Sequence, residues 1–330
     1  MSRVLITGGT GFLGKALTQR LSSSDFEVMV TGRQPIVTDL PAGVHYYQAP
    51  SLGPDANWQN VLTGVDCVVH LAARVHVMIE TETDPVMAFH KVNVEGTNKL
   101  ALDAVQAGVK RLIFLSTVKV NGEHTDAHPF TEDDKANPQD DYGLSKYNAE
   151  QALFKIAQDT GLEIVIIRPP LVYGPGVKGN FKSLINLTKR AWPMPLGGLK
   201  NARSLVFVGN LCDAIKTCIE HPSAANQTFL VSDSHDISTT ELIEYLAHAL
   251  SCPSRLFKLP ATLLYMIAGL FGQKNRIQRL LGSLQINSTK IHKLLGWTPP
   301  YNVVQGMQLT VTADLKTEQL IPKKNDAGKP

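Results

Sequence analysis

The sequence predicts an α/β fold built on a doubly wound, mostly parallel sheet, and three observations predict it. Short apolar runs alternate with helical patterns through the first half of the chain. Each strand–helix repeat is long enough to hold a crossover helix, so successive strands run parallel with helices on both faces. A glycine-rich turn, GGTGFLG at 8–14, stands between the first strand and the first helix.

Val4–Thr7 is a short β-branched run and reads as a buried strand, followed by a helix over Lys15–Leu21. Val28–Thr31 and Val65–Leu71 read as the next strands, and a helix covers Val92–Ala107. Arg111–Ser116 is a strand, Ser145–Thr160 a helix, and Glu163–Ile167 a strand closed by Arg168-Pro169-Pro170. Beyond Tyr173 the texture changes. Gly174-Pro175-Gly176, Pro193-Met194-Pro195 and Gly197-Gly198 mark loops that suit a binding cleft. Val206–Val208 and Thr228–Val231 read as further strands and Thr239–Leu250 as a helix with Glu241 near its start. The polar tail 319–330 is expected to fray.

Composition narrows the function classes. The chain has 330 residues, 43% apolar and 18% charged, with 32 Lys and Arg against 29 Asp and Glu. That is globular, and a net charge of +3 with no basic–aromatic run excludes a nucleic-acid partner. Cys67, Cys212, Cys218 and Cys252 form no CxxC pair and the histidines are scattered, so no metal site is expected and a reduced, cytoplasmic chain is. The most apolar stretch, Ala261–Phe271, is too short for a transmembrane segment and reads as a buried helix. Because the basic run KNRIQR follows it, a weak association with a membrane surface or a partner stays open.

Two groups of residues carry chemistry. Gly8, Gly11 and Gly14 let backbone N–H groups approach a diphosphate at a helix N-terminus. At the end of the second strand, where an acid would hold the ribose hydroxyls of NAD, the chain has Thr31-Gly32-Arg33. Arg33 can pair with a 2′-phosphate, so NADP(H) is favoured and NAD(H) is the alternative. Tyr142 and Lys146, in YGLSK, share one helix face, and a lysine ammonium beside a phenol lowers its pKa. Tyr142 is then a usable acid or base, and Thr117, just past a strand end, can orient a substrate oxygen.

These motifs, with DCVVHLAA at 66–73, NVEGT at 93–97, LSTVKVNGE at 115–123 and RPPLVYGPG at 168–176, resemble the extended short-chain dehydrogenase/reductase family. Within it the likeness is to the nucleotide-sugar epimerase, dehydratase and reductase group. The resemblance implies a Rossmann domain over 1–172, rejoined by strands near 203–232. It also implies a smaller, partly interwoven substrate domain over 173–202 and 233–318, and a homodimer. It assigns Thr117, Tyr142 and Lys146 to catalysis. To the cofactor it assigns Gly8, Thr10, Gly11, Phe12, Leu13, Gly14, Arg33, Leu71, Ala72, Ala73, Asn93, Ser116, Pro169 and Val172, with Tyr142 and Lys146 again. To a UDP-linked sugar it assigns Arg74, Thr117, Lys119, Asn180, Arg203 and Arg279.

The sequence departs from the family pattern in places. No acid follows the second strand, and Ala49-Pro50-Ser51-Leu52 offers none near the adenine. Lys119 and Asn121 replace the usual Thr and Tyr of T-V-Y-G, placing a lysine where a keto sugar or phosphate can meet it. Val118-Lys119 stands where dehydratases carry an Asp-Glu pair, which argues against the elimination step. Two reactions share the remaining residues. One is NADPH-dependent reduction of a UDP-linked 4-keto-hexose, of the 2-acetamido-2,6-dideoxy type, in bacterial surface-polysaccharide (lipopolysaccharide, O-antigen) precursor synthesis. The other is NAD-dependent 4-epimerisation of UDP-glucose or UDP-N-acetylglucosamine. Thr31 and Arg33 favour the reductase.

Overall fold

The computed structural model describes residues 1–75, 84–270 and 274–320, apart from the side chains at 261, 267–270, 274–276, 279 and 320. Among them, one parallel sheet runs in the order Gln227–Leu230, Glu163–Arg168, Arg111–Leu115, Cys67–His70, Ser2–Thr7, Phe26–Gly32, His45–Gln48. The chain starts at Ser2–Thr7, builds outward to one edge, then returns to build the other side from Cys67–His70. The order therefore reverses between these two strands, and ligands of open α/β sheets bind beyond the strand ends at such a reversal. His45–Gln48 was not expected from the sequence; it is an edge strand, largely exposed, and lacks an apolar run.

The register explains why the strands read as continuous apolar runs. Leu5 pairs with Val68, Val68 with Leu112, and Leu112 with Ile164, all on one face and all buried. They pack on Leu100, Ala101 and Ala104 of one helix and on Leu153 and Ile156 of another. Their neighbours Val4, Ile6, Val69, Ile113 and Val165 are equally buried. With both faces covered, no polar alternation survives.

The helix Asp141–Thr160 begins four residues before the expected Ser145. Asp140 caps it, accepting from the Gly143 N–H at 2.7 Å, and Gly161 ends it at φ 77°. Its face Tyr142, Lys146, Glu150 recurs every four residues. At the third position the fully buried Glu150 receives Arg168 bidentately, Nε at 2.9 Å and Nη2 at 2.5 Å. Ser116 Oγ also donates to Glu150, and Arg168 Nη1 donates to Asn121 Oδ1 at 3.1 Å. One buried pair thus joins the helix, two strand ends and the turn after Thr117.

The chain divides into two compact units: residues 1–172, 203–236 and 283–300, and residues 173–202, 237–282 and 301–330. The expectation that 283–300 belongs with the substrate domain is corrected. Within the first unit, Leu284 bridges to Arg203 and Ile286 to Phe130, and both pack with Val118 and Leu230. The second unit centres on Met194, Leu196, Ile243 and Leu264, with Leu256–Lys258 pairing in parallel to Met194–Gly197. Its helix Thr239–Ala249 starts with a reciprocal cap between Ser238 and Glu241. Ala261–Leu270 is helical as expected, but its described side chains are not those of a buried helix. Thr262, Leu263, Tyr265 and Met266 are exposed, and only Leu264 among its described side chains turns inward. A helix Val303–Leu320, not expected from the sequence, runs to the end of the described residues, and the rest of the tail lies outside them.

Removing one member of the Glu150–Arg168 pair leaves a charge buried without its partner. Arg168→Met is expected to cost about 3–5 kcal/mol in denaturant unfolding, and Glu150→Leu/Arg168→Met clearly less than the sum of the single changes.

Candidate active site

The glycine turn is built by steric necessity. Gly8 has φ 72°, and a Cβ on Gly14 would stand 2.2 Å from the Gly8 carbonyl oxygen. The helix Phe12–Ser22 therefore starts directly under the turn, with Gly11 as its cap and no side chain capping it. The N–H groups of Phe12, Leu13 and Gly14 have no acceptor within the helix. Leu13 points into the core and Phe12 is half-buried. This stretch thus offers backbone donors, which fits a dinucleotide diphosphate. A Cβ on Gly8 would lie 2.9 Å from the Ala72 nitrogen, so the turn Leu71–Arg74 closes against the same point. Thr10 and Leu71 to Ala73 are half-buried there.

Beneath this junction lies a polar chain that sequence reasoning missed. His70 is buried, with Nδ1 2.6 Å from Thr7 Oγ1 and Nε2 3.0 Å from Thr97 Oγ1. The Ala72 N–H donates to the same Thr7 hydroxyl at 3.3 Å. Burial, and then the nearby Lys146 charge, push the imidazole down to about 3, so it is neutral. The polar residues at 7, 70 and 97 were visible inside their motifs, but only the register of Thr7 against His70 joins them.

Tyr142 lies in the first turn of its helix and Lys146 one turn later. Lys146 Nζ donates to the Leu115 carbonyl at 2.6 Å and sits 4.2 Å from the centre of the Phe114 ring. Burial lowers this ammonium to about 7, against the opposing pull of Glu150. The expected lowering of the Tyr142 phenol by Lys146 is corrected. Burial, and then the Asp140 carboxylate, hold the phenol above its ordinary value, while Lys146 is directed to the Leu115 carbonyl and the Phe114 face. Thr117, two residues past Leu115, accepts from the Lys119 N–H at 3.3 Å. The Lys146–Leu115 bond thus ties the Tyr142 helix to the strand end that carries Thr117.

Asn93 sits in a π-helical turn, a feature frequent at functional sites. Its Oδ1 accepts from the Arg74 N–H at 2.8 Å, and its Nδ2 donates to the Arg74 carbonyl at 2.9 Å and to Ser145 Oγ at 2.9 Å. Ser145 in turn donates to the Tyr142 carbonyl at 2.8 Å. Both ends of the Asn93 amide are therefore engaged in holding the Arg74 turn against the Tyr142 helix, rather than presented to a cofactor. The Arg74 guanidinium lies 5.5 Å over Phe89, whose ring is 6.3 Å from that of Tyr142.

Lys119 differs most from expectation. Its ammonium pairs with Asp140 and, at 2.9 Å, with Glu123. It braces the cap of the Tyr142 helix rather than waiting for a substrate. Ser116 likewise gives its hydroxyl to Glu150. Pro169 is buried and its carbonyl accepts from the Val118 N–H at 3.0 Å, while Val172 is half-buried. Thr31 is buried with a hydroxyl that has no hydrogen-bond partner, and Arg33 is exposed. An orphaned hydroxyl at that strand end fits a ribose-holding position. Arg203 is half-buried in the first unit, and Asn180 is exposed in the second, near the start of the helix Gly179–Lys189. The side chain of Arg279 lies outside the described residues.

Residues 4–232 match the model of the NAD dependent epimerase/dehydratase family. The chain belongs to that family. It is 43% identical over 316 residues, 95% of each chain, to a UDP-glucose 4-epimerase of Vibrio cholerae. It is 27% identical over 98% of this chain and 97% of the other to an N-acetyl-alpha-D-glucosaminyl-diphospho-ditrans,octacis-undecaprenol 4-epimerase of Escherichia coli O157:H7. Among solved structures, it is similar to a UDP-glucose 4-epimerase with UDP-glucose from Thermotoga maritima. The TM-score is 0.76 at 22% identity, covering 96% of this chain and 99% of that one. The glycine turn, the His70 chain and the YGLSK helix all lie within the matched residues.

Two outcomes follow from this geometry. Between pH 6.5 and about 3 the unfolded chain binds a proton at His70 that the folded chain excludes, so stability falls as pH falls. Relative to His70→Gln, the wild type should lose up to about 1.4 kcal/mol more per pH unit across that window, read by urea unfolding. Asp140→Ala removes a helix cap and is expected to cost about 1–2 kcal/mol, whereas Lys119→Met, at a partly exposed pair, should cost under about 1 kcal/mol.

Proposed function

We propose that the protein is a UDP-hexose 4-epimerase that uses tightly held NAD. The observation that carries this reading is the 43% identity, along 95% of both chains, to a protein named UDP-glucose 4-epimerase. Thr117, Tyr142 and Lys146 stand together with it on one strand end and one helix face.

The chain's own residues divide the work. Backbone donors of Phe12 to Gly14 and the turn at Leu71–Ala73 hold the dinucleotide, and Thr31 receives the ribose. The nicotinamide, when bound, supplies a hydride acceptor and donor for C4 of the sugar. Thr117 hydrogen-bonds the C4 oxygen. Tyr142 takes the proton from that hydroxyl and returns it to the opposite configuration. A phenol held high by burial and by Asp140 is a poor base alone, and a positively charged nicotinamide beside it would favour loss of its proton. Lys146 orients the ribose, and the Asn93–Ser145–Tyr142 chain keeps the helix start in place. Arg203, in the same unit as Tyr142, pairs with the UDP diphosphate. The chain acts as a homodimer.

Reduction of a 4-keto sugar with NADPH is the second reading, favoured by Thr31 and the exposed Arg33 in place of an acid. The two relatives described above speak for epimerisation instead, since each is named a 4-epimerase. The nucleotide-linked sugar is preferred over the lipid-linked one because the first relative is much the more similar.

Mass spectrometry of the denatured protein should release NAD, and NMR should follow interconversion of UDP-glucose and UDP-galactose without added cofactor. Tyr142→Phe should lower kcat by at least about 10²-fold and keep the cofactor. Stoichiometric NADPH consumption with no interconversion would remove the epimerase and support the reductase.

A further inference from the structure

The second unit carries a surface that the catalytic reading does not use. Phe257, Leu263, Tyr265 and Met266 are 46%, 41%, 40% and 68% exposed. Single exposed apolar residues are ordinary, but these four lie within ten residues of chain. In the same helix Leu264 is 5% exposed and packs with Met194, Leu196 and Ile243, which anchors the helix and turns the others outward. Beside the helix start, Lys200 and Lys258 edge an open hollow of about 450 Å³, also lined by Leu199, Leu259 and Pro260.

Charge is segregated to the same stretch. From Tyr245 to Ala313 the sequence has no Asp or Glu, although it holds 29 elsewhere. Over that span it carries seven Lys or Arg, of which Arg255, Lys258, Lys274, Arg276 and Arg279 fall in the second unit. A second copy of this chain is a poor occupant, because a two-fold interface centred here would set Arg255 and Lys258 of each copy near those of the other. A helix of ten residues, about 15 Å long, cannot cross a hydrocarbon core of about 30 Å. Among the described residues no helix is long and apolar enough to do so. Apolar and aromatic side chains from a stretch of sequence without acids, beside Lys200 and Lys258, match the headgroup boundary of an anionic bilayer.

We propose that this face docks in the plane of an anionic membrane surface. Leu263, Tyr265 and Met266 enter the headgroup boundary, and Lys200 and Lys258 meet lipid phosphates. The inference stands whether the enzyme is an epimerase or a reductase.

Full-length protein is sedimented with vesicles of phosphatidylcholine alone and of phosphatidylcholine mixed with phosphatidylglycerol. The protein should pellet with the anionic vesicles only, and added salt should release it. Leu263→Asp/Met266→Asp should abolish pelleting, and Lys258→Glu should weaken it at least about fivefold. Both variants should keep the wild-type melting temperature, which separates lost docking from lost folding. Wild type remaining in the supernatant with both vesicles would overturn the proposal. So would equal pelleting by the double variant, or a change of oligomeric state in that variant with pelleting unchanged, which would assign the face to a second copy.

Discussion

The site depends on one buried ion pair. Glu150 is wholly inaccessible, and Arg168 nearly so. A carboxylate taken that far from water is tolerable only with its hydrogen-bonding capacity met, and here Arg168 and Ser116 meet it together. The pair fixes the third turn of the Tyr142 helix to the end of the strand Glu163–Arg168. Through Ser116 it fixes the neighbouring strand end, and through Asn121 the turn that follows Thr117. The directional, bidentate geometry of arginine sets these elements in one register, which an apolar contact would leave freer to slide.

Around that pair, the helix that carries Tyr142 is held by several further polar contacts. Lys146 reaches the Leu115 carbonyl, Asn93 holds the Arg74 turn and Ser145, and Asp140 caps the helix under the brace of Lys119. Each ties the Tyr142 helix to a different segment. The helix start, ordinarily the part that frays, is thereby the most restrained part of the site. The same economy holds at the glycine turn, where close backbone contacts at Gly8 and Gly14 leave no room for a side chain at either position.

The two units differ in how they use charge. In the first, acids and bases are paired across the fold, as in Arg20 with Asp213 and Arg111 with Glu163. In the second, the helix Val303–Leu320 pairs its acids with Lys182 and Lys189, while residues 245–282 carry cations and no acid. Folding does not require that segregation, because the core of the second unit rests on apolar contacts.

The sequence by itself determined the parallel sheet, the glycine turn and the Tyr142–Lys146 face, because each is written in local order. Buried parallel strands need apolar runs, a tight backbone crossing needs glycine, and residues four apart share a helix face. Glu150 follows Lys146 at the same spacing, yet its place on that face and its partner Arg168 emerged only in the folded structure. Only the tertiary structure decided what the polar side chains do. Lys119 meets Asp140 across 21 residues, Asn93 meets Ser145 across 52, and His70 lies between threonines 63 and 27 residues away. It also decided that Leu263, Tyr265 and Met266 face outward and that 283–300 joins the first unit. A lysine or an asparagine carries no periodicity that names its partner. That partner is set by which strand ends the sheet order brings together, and hydropathy along the chain does not encode that order.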